Sequence, residues 1–172
     1  NQTISKLPEF TENVTIVKKI SSAGMLAEKG QYDEAREELK ELSQYDDARF
    51  ILNEVDLMQG LKMIQDGKAD EGEALINTYL SNMQDDADKT NVDYRRAEAY
   101  LEYGDAEMAL EIYTELGDYQ DSAEQAKNCA MLLAAIYINN QDYGKAFSLL
   151  EPYMDDPLVQ EARSEERRVG KE

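Results

Sequence analysis

The chain has no histidine and no tryptophan, and only one cysteine and three prolines in 172 residues. Without histidine there is no imidazole base, no His-bearing metal site and no Ser-His-Asp or Cys-His nucleophile pair within these residues. A single cysteine, Cys129, excludes an internal disulfide. It lies between Asn128 and Ala130 and reads as a small packing residue, since a reactive thiol needs a cationic group to hold the thiolate. Long hydrophobic runs are missing too: the longest, Met131 to Ile138, is eight residues, against about 20 for a bilayer span. No signal peptide is visible. The chain opens on Asn1 rather than methionine, so a leader or anchor upstream, and with it the choice between a cytoplasmic and an extracytoplasmic compartment, stays open.

Positive charge is scarce. Lys and Arg number 18 against 37 Asp and Glu, for a formal net charge of −19 and a pI near 4.3. Binding to nucleic acid or an anionic membrane needs a positive field to offset phosphate or lipid charge, so neither is expected. A basic or amphipathic protein segment is the favoured partner; the plainer alternative is that the carboxylates keep an elongated surface soluble. The acidic clusters Asp46-Asp47, Asp85-Asp86-Asp88 and Asp155-Asp156 lack the alternating D-x-D-x-D-G calcium loop closed by a glutamate, and read as helix caps and solvated turns. The nearest approach, Asp66-Gly67-Lys68-Ala69-Asp70-Glu71, also reads as a turn. Nothing marks two carboxylates as opposed across a cleft for glycoside chemistry. No metal, no cofactor and no enzymatic activity are expected.

What the chain does have is a repeat. Gly30, Gly67, Gly104 and Gln141 stand 37 residues apart. Seven residues before them lie Ala23, Gly60, Ala97 and Ala134; five after them lie Ala35, Gly72, Ala109 and Ala146. Both columns hold only Ala or Gly. Flanking columns are bulky: Leu26, Met63, Tyr100 and Tyr137, then Leu39, Ile76, Tyr113 and Leu150, and Leu42, Tyr79, Leu116 and Tyr153. Two helices approach to about 8–10 Å where one presents small side chains and the other large ones. The pattern predicts pairs of helices joined by tight turns. With 42% hydrophobic and 32% charged residues, it suits an all-α protein with a thin core.

These residues resemble the tetratricopeptide repeat family, a helix-turn-helix unit with small residues in both helices and a large apolar residue after each. The resemblance covers roughly residues 12 to 154. The family's tryptophan column here reads Lys19, Asp56, Asp93 and Ala130, its closing proline is missing, and the unit is three residues longer than the usual length of about 34. The phrase Leu116-Gly-Asp-Tyr-Gln-Asp-Ser122, echoed at Leu42 to Ala48, is similar to degenerate bacterial arrays common in Firmicutes. The resemblance implies an α-solenoid of about four antiparallel helix-turn-helix repeats in a right-handed superhelix, acting as a protein-binding scaffold. A second reading is an extracytoplasmic ligand-binding or structural module of a membrane-anchored protein.

Along the chain, residues 1–10 read as a linker or the end of a preceding element and 11–154 as the array. Thr11 is expected to cap a helix to about Lys29. Helices then follow over Asp33–Ser43, from Asp46 or Asp47 as cap to Asp66, and over Ala69–Leu80. Residues 81–91 break the period and read as a loop or frayed start. Val92–Tyr103, Ala106–Leu116, a helix capped by Asp121 and running to Asn140, and Asp142–Met154 complete the array. Asp156-Pro157 signals a further helix over 155–162, with proline at its first position. Residues 163–172 abandon repeat and acidity together, are similar to translated sequencing-adapter sequence, and are expected to lie outside the fold.

On the first helix of each unit two further columns are apolar throughout: Ile20, Leu57, Tyr94 and Met131, with Ala27, Ile64, Leu101 and Ile138 seven residues on. First helices line the concave surface in tetratricopeptide arrays. By that resemblance Ile20, Leu57, Leu61, Ile64, Tyr94, Leu101, Met131 and Ile138, with Glu98 and Glu102 beside them, are expected to form a partner-binding groove: an apolar floor with an acidic rim, suited to a peptide bearing lysine or arginine. The competing expectation is that they pack inside, because a helix sandwiched between neighbours needs a wide apolar face.

Overall fold

The structure is a computed structural model that describes residues 7–83, 88–157, 159–161 and 164. The described residues are helical, with no strand among them. The helices are α1 (Leu7–Glu28), α2 (Tyr32–Leu39), α3 (Asp46–Gln65), α4 (Ala69–Met83), α5 (Lys89–Tyr103), α6 (Ala106–Leu116), α7 (Ser122–Asn139) and α8 (Tyr143–Leu150). They belong to two compact units, Asn1–Ala87 and Asp88–Glu172. In the first, α1 packs on α2, α3 on α4, and both α1 and α2 on α3; in the second, α5 packs on α6, α6 on α7 and α7 on α8.

The 37-residue column of turn residues is a column of helix ends. Gly30, Gly67 and Gly104 have φ of +77°, +81° and +100°, and Gln141 shares the conformation at +62°. At each, two backbone bonds close the helix. Gly30 N–H donates to Ala27 O and Gln31 N–H to Leu26 O, both at 2.9 Å, and the pair recurs at Gly67 and Lys68, at Gly104 and Asp105, and at Gln141 and Asp142. This is the six-to-one closure that satisfies the last carbonyls of a helix, and it requires the left-handed conformation in which glycine is unstrained. Gln141 pays the steric penalty that its three counterparts avoid. Gln141→Gly is therefore expected to stabilise the second unit by about 1 kcal/mol, seen as a higher urea midpoint with unchanged slope.

The small columns lie where helices cross. Ala23, Ala97, Ala134, Ala35, Ala109 and Ala146 are all buried, as are Gly60 and Gly72. Bulky partners fill the space around them: Leu39 and Leu42 in the first unit, Ile76 and Tyr79 between α3 and α4, Tyr113 and Leu150 in the second. Cys129 is buried, and burial pushes its thiol up, away from the thiolate. It is a packing residue.

Several boundaries differ from expectation. The first helix begins at Leu7, so residues 7–10 belong to α1 and not to a linker; Pro8 falls in the first turn, where an amide N–H has no intrahelical acceptor to lose. Thr11 is consequently inside the helix and its carbonyl accepts from Thr15 Oγ1 at 2.9 Å. The second helices α2 and α8 are shorter than expected, each passing into a 3-10 turn, Lys40–Leu42 and Glu151–Tyr153. Pro152 lies in the first turn of the 3-10 segment and has no N–H with which to continue the α-helical ladder. At three residues per turn Leu39 and Leu42 fall on one side, and both are buried. The break at 81–91 is narrower: α4 runs to Met83, held by Asn82 Nδ2 donating to Asn53 Oδ1 at 3.0 Å, and α5 opens at Lys89 with Asp88 accepting from Asn91 N–H at 3.0 Å. Residues 84–87 lie outside the described residues. So does the 163–172 tail, apart from Ser164, whose hydroxyl donates to Gln160 O. Pro157 opens a further helical turn, with Asp156 O accepting from Gln160 N–H at 3.1 Å.

Candidate binding surface on the first helices

The first helices α1, α3, α5 and α7 carry the residues expected to meet a partner, and the structure divides them. On α3, Leu57, Leu61 and Ile64 are 1%, 7% and 0% exposed. They are core, and the groove reading is corrected for them. The reason is the pair of glycines: Gly60 and Gly72 let α4 close on α3 until Ile64 itself sits at the crossing, and the face carrying these residues is covered. Ile20 is half-buried against the core around Ala23, Ala35 and Val55. Met131 and Ile138 pack in the same way on Ala134, Ala146 and Leu150. Leu101 is half-buried.

Tyr94, Glu98 and Glu102 on α5 form a cluster with Asp121. The Tyr94 ring meets Tyr113 and Tyr119 edge-on, with centroids 5.7 and 5.9 Å away. Its hydroxyl donates to Asp121 Oδ1 at 2.6 Å, while Gln125 Nε2 donates to the other oxygen at 2.9 Å. The bond to Asp121 is the largest reason that the Tyr94 pKa is pushed up to about 12, and the same bond holds the Asp121 carboxyl below its ordinary range. Tyr113 is pushed up by its burial. Desolvation first, then Glu102 and Asp121, raise the Glu98 carboxyl. Asp121 was expected to cap α7. It stands at the cap position, but its carboxylate makes no bond to the helix amides, being taken by Tyr94 and Gln125.

Asp46 and Asp47 likewise lie within the first turn of α3, with Tyr45 at the cap, and act there through the helix dipole rather than as caps. In the Asp66 to Glu71 segment Asp66 and Gly67 form a turn, with Gly67 left-handed, and Ala69 to Glu71 open α4. Among the described residues no cluster of three or more His, Cys, Asp or Glu side chains is placed to hold a metal ion. Nor is any described helix long and apolar enough to cross a membrane.

The columns missed the apolar residues that do reach solvent. Val17 and Met25 on α1, Phe50 on α3, Tyr103 on α5, and Leu132 and Ile136 on α7 are 46% exposed or more, and Val14 on α1 is 37% exposed. All seven lie on first helices; among the described residues Phe147, on α8, is the one large exposed apolar side chain on a second helix. A signal for them exists in the sequence. Met131 to Ile138 is apolar around the whole helix, and a helix with one face packed on α6 and another on α8 leaves part of such a girdle uncovered. Leu132 and Ile136, four residues apart, are that part.

Among the described residues of the second unit, four cations are paired within it. Lys127 pairs with Asp156 at 2.9 Å, Arg96 with Asp93 at 2.7 Å, Lys145 with Asp142 at 3.3 Å, and Lys89 also with Asp93. Glu98 and Glu102 are exposed on α5, and Arg95 on the same helix acts on Glu98 with opposite sign. No family model matches the chain, and comparison with curated proteins and with solved structures returns no match.

Proposed function

We propose that the chain is a tetratricopeptide-like α-solenoid that binds a basic, amphipathic segment of another protein, without a cofactor and without chemistry of its own. The observation that carries this reading lies in the second unit, where Leu132 and Ile136, four residues apart on α7, are 50% and 46% exposed. Two large apolar side chains adjacent on one helix face form a patch that a docking surface leaves uncovered, whereas singly scattered ones need no explanation. The net charge of −19 supplies the selection for a basic partner. Apolar burial gives affinity, and the field of Glu98 and Glu102 gives association rate and preference.

The test is selection of a random peptide library on the purified protein, followed by titration of a recovered peptide. The recovered sequences are expected to combine apolar anchors with Lys or Arg. The double variant Leu132→Ser/Ile136→Ser should bind at least about tenfold more weakly, a cost of roughly 1.4 kcal/mol, and stay as stable as the parent to within about 0.5 kcal/mol because both residues are exposed. Glu98→Gln/Glu102→Gln should chiefly lower the association rate and flatten its salt dependence. A peptide that binds the Leu132→Ser/Ile136→Ser protein undiminished puts the site elsewhere, and recovered sequences without basic residues remove the electrostatic half of the reading.

A further inference from the structure

The second unit holds a pocket of about 450 Å³ between α6, α7 and α8. Leu110, Leu133 and Leu149 line it with apolar surface, and Glu107, Tyr137 and Lys145 bring polar groups to it. The Tyr137 hydroxyl donates to Glu107 Oε1 at 2.7 Å, and Lys145 Nζ stands 5.3 Å over the centroid of the same ring. One tyrosine thus holds a carboxylate at its edge and an ammonium over its face. Each keeps capacity to spare. Glu107 has a second oxygen, and Lys145, paired with Asp142 at 3.3 Å and with its side chain 65% exposed, has three N–H donors.

Two departures from the repeat meet at this pocket. The second residue of each second helix is Asp33, Asp70, Glu107 and then Gly144; the third is Glu34, Glu71, Met108 and then Lys145. Acids suit a helix N-terminus, and a glycine or a lysine there costs helix stability. Neither common reason for a helical glycine applies to Gly144. Its φ is not left-handed, and an added Cβ would meet nothing within 4 Å, whereas at Gly60 and Gly72 it would collide with the opposing backbone. What the missing side chain leaves open is the pocket.

We propose that this pocket binds a small zwitterion with an apolar side chain, of the class of the free aliphatic and aromatic α-amino acids: its ammonium on Glu107, its carboxylate on Lys145, its side chain against Leu110, Leu133 and Leu149. The volume lies at the low end of the range of about 300–1,000 Å³ for small-molecule sites. That suits a small molecule better than a docked helix. The paired opposite charges also fit a free amino acid rather than the interior of a polypeptide, where neither the α-ammonium nor the α-carboxylate exists. The site uses residues other than those proposed to meet a protein partner, so the two readings stand or fall separately.

The experiment is calorimetric titration of the whole chain with L-leucine and L-phenylalanine, and with the N-acetyl and carboxamide forms of each. Saturable binding of one or both free amino acids is expected, at least about tenfold weaker when either charge is blocked. Glu107→Gln should weaken it by a similar factor, as should Lys145→Glu, which returns the acid found in the first two units. Gly144→Leu should abolish it while keeping or raising the thermal midpoint, because leucine favours the helix and enters open space. Absence of saturable binding by wild-type protein up to the solubility limit overturns the proposal. So does equal binding of the blocked forms, or undiminished binding by the Gly144→Leu variant.

Discussion

Gly72→Ala is expected to destabilise the first unit by about 3 kcal/mol, at the upper end of what overpacking costs, although alanine is the better helix former by about 1 kcal/mol. A Cβ at Gly72 would lie 2.5 Å from the carbonyl oxygen of Gly60, 2.8 Å from Ile64 Cγ1 and 3.1 Å from Ile64 N. The contact is reciprocal: a Cβ at Gly60 would lie 2.8 Å from Gly72 O and from Ile76 Cγ1. Three of these neighbours, Gly60 O, Ile64 N and Gly72 O, are backbone atoms of packed helices, so none can turn aside as a flexible side chain would. Relief requires α3 and α4 to separate, which loosens Ile64, Ile76 and Tyr79, all 5% exposed or less. The measurement is thermal unfolding followed by circular dichroism, with a fall of about 10 °C or more expected for a unit of this size. Gly144→Ala is the control: the same chemical change in open space should be neutral or stabilising. Equal midpoints for the two alanine variants would mean that α3 and α4 are not in backbone contact.

The features legible in the sequence are those that a single residue imposes locally. The left-handed helix end fixes Gly30, Gly67 and Gly104 at one spacing, and the close crossing fixes Gly60, Gly72 and the alanines; each constraint leaves a mark in its column whatever the rest of the chain does. Helix caps were less legible because they compete with tertiary partners. Asp121 is suited to capping α7, yet a tyrosine 27 residues earlier takes its carboxylate, and no local pattern announces that. Of the surface proposed to meet a partner, only the helix class was legible. First helices do carry the exposed apolar surface, but the columns chosen from the repeat were the ones most apolar in every unit, and uniform apolarity is a property of the core. Leu132 and Ile136 stand beside those columns. Their counterparts are Arg95 and Ala99, Met58 and Lys62, Ser21 and Met25, a mixture with no consensus to find. A surface that faces a partner, unlike a core, need not repeat.

That distinction makes Ile64 the sharpest test of which face is buried. Ile64→Ala is expected to cost about 2–5 kcal/mol of stability, because the side chain is 0% exposed and its Cγ1 lies at the α3–α4 crossing, where the glycines leave no slack for the neighbours to collapse into the cavity. The affinity of a peptide selected on the wild type, measured at low temperature where the variant is still folded, should stay within about twofold of the parent. Leu132→Ser/Ile136→Ser should give the opposite pairing, with stability kept and affinity lost. The contrast separates two roles that a melting curve alone confuses, since a variant that unfolds also fails to bind. If Ile64→Ala keeps its midpoint and loses the peptide, the face of α3 carrying Leu57, Leu61 and Ile64 opens to the partner in solution, and the helix pairing described for the first unit yields when the partner binds.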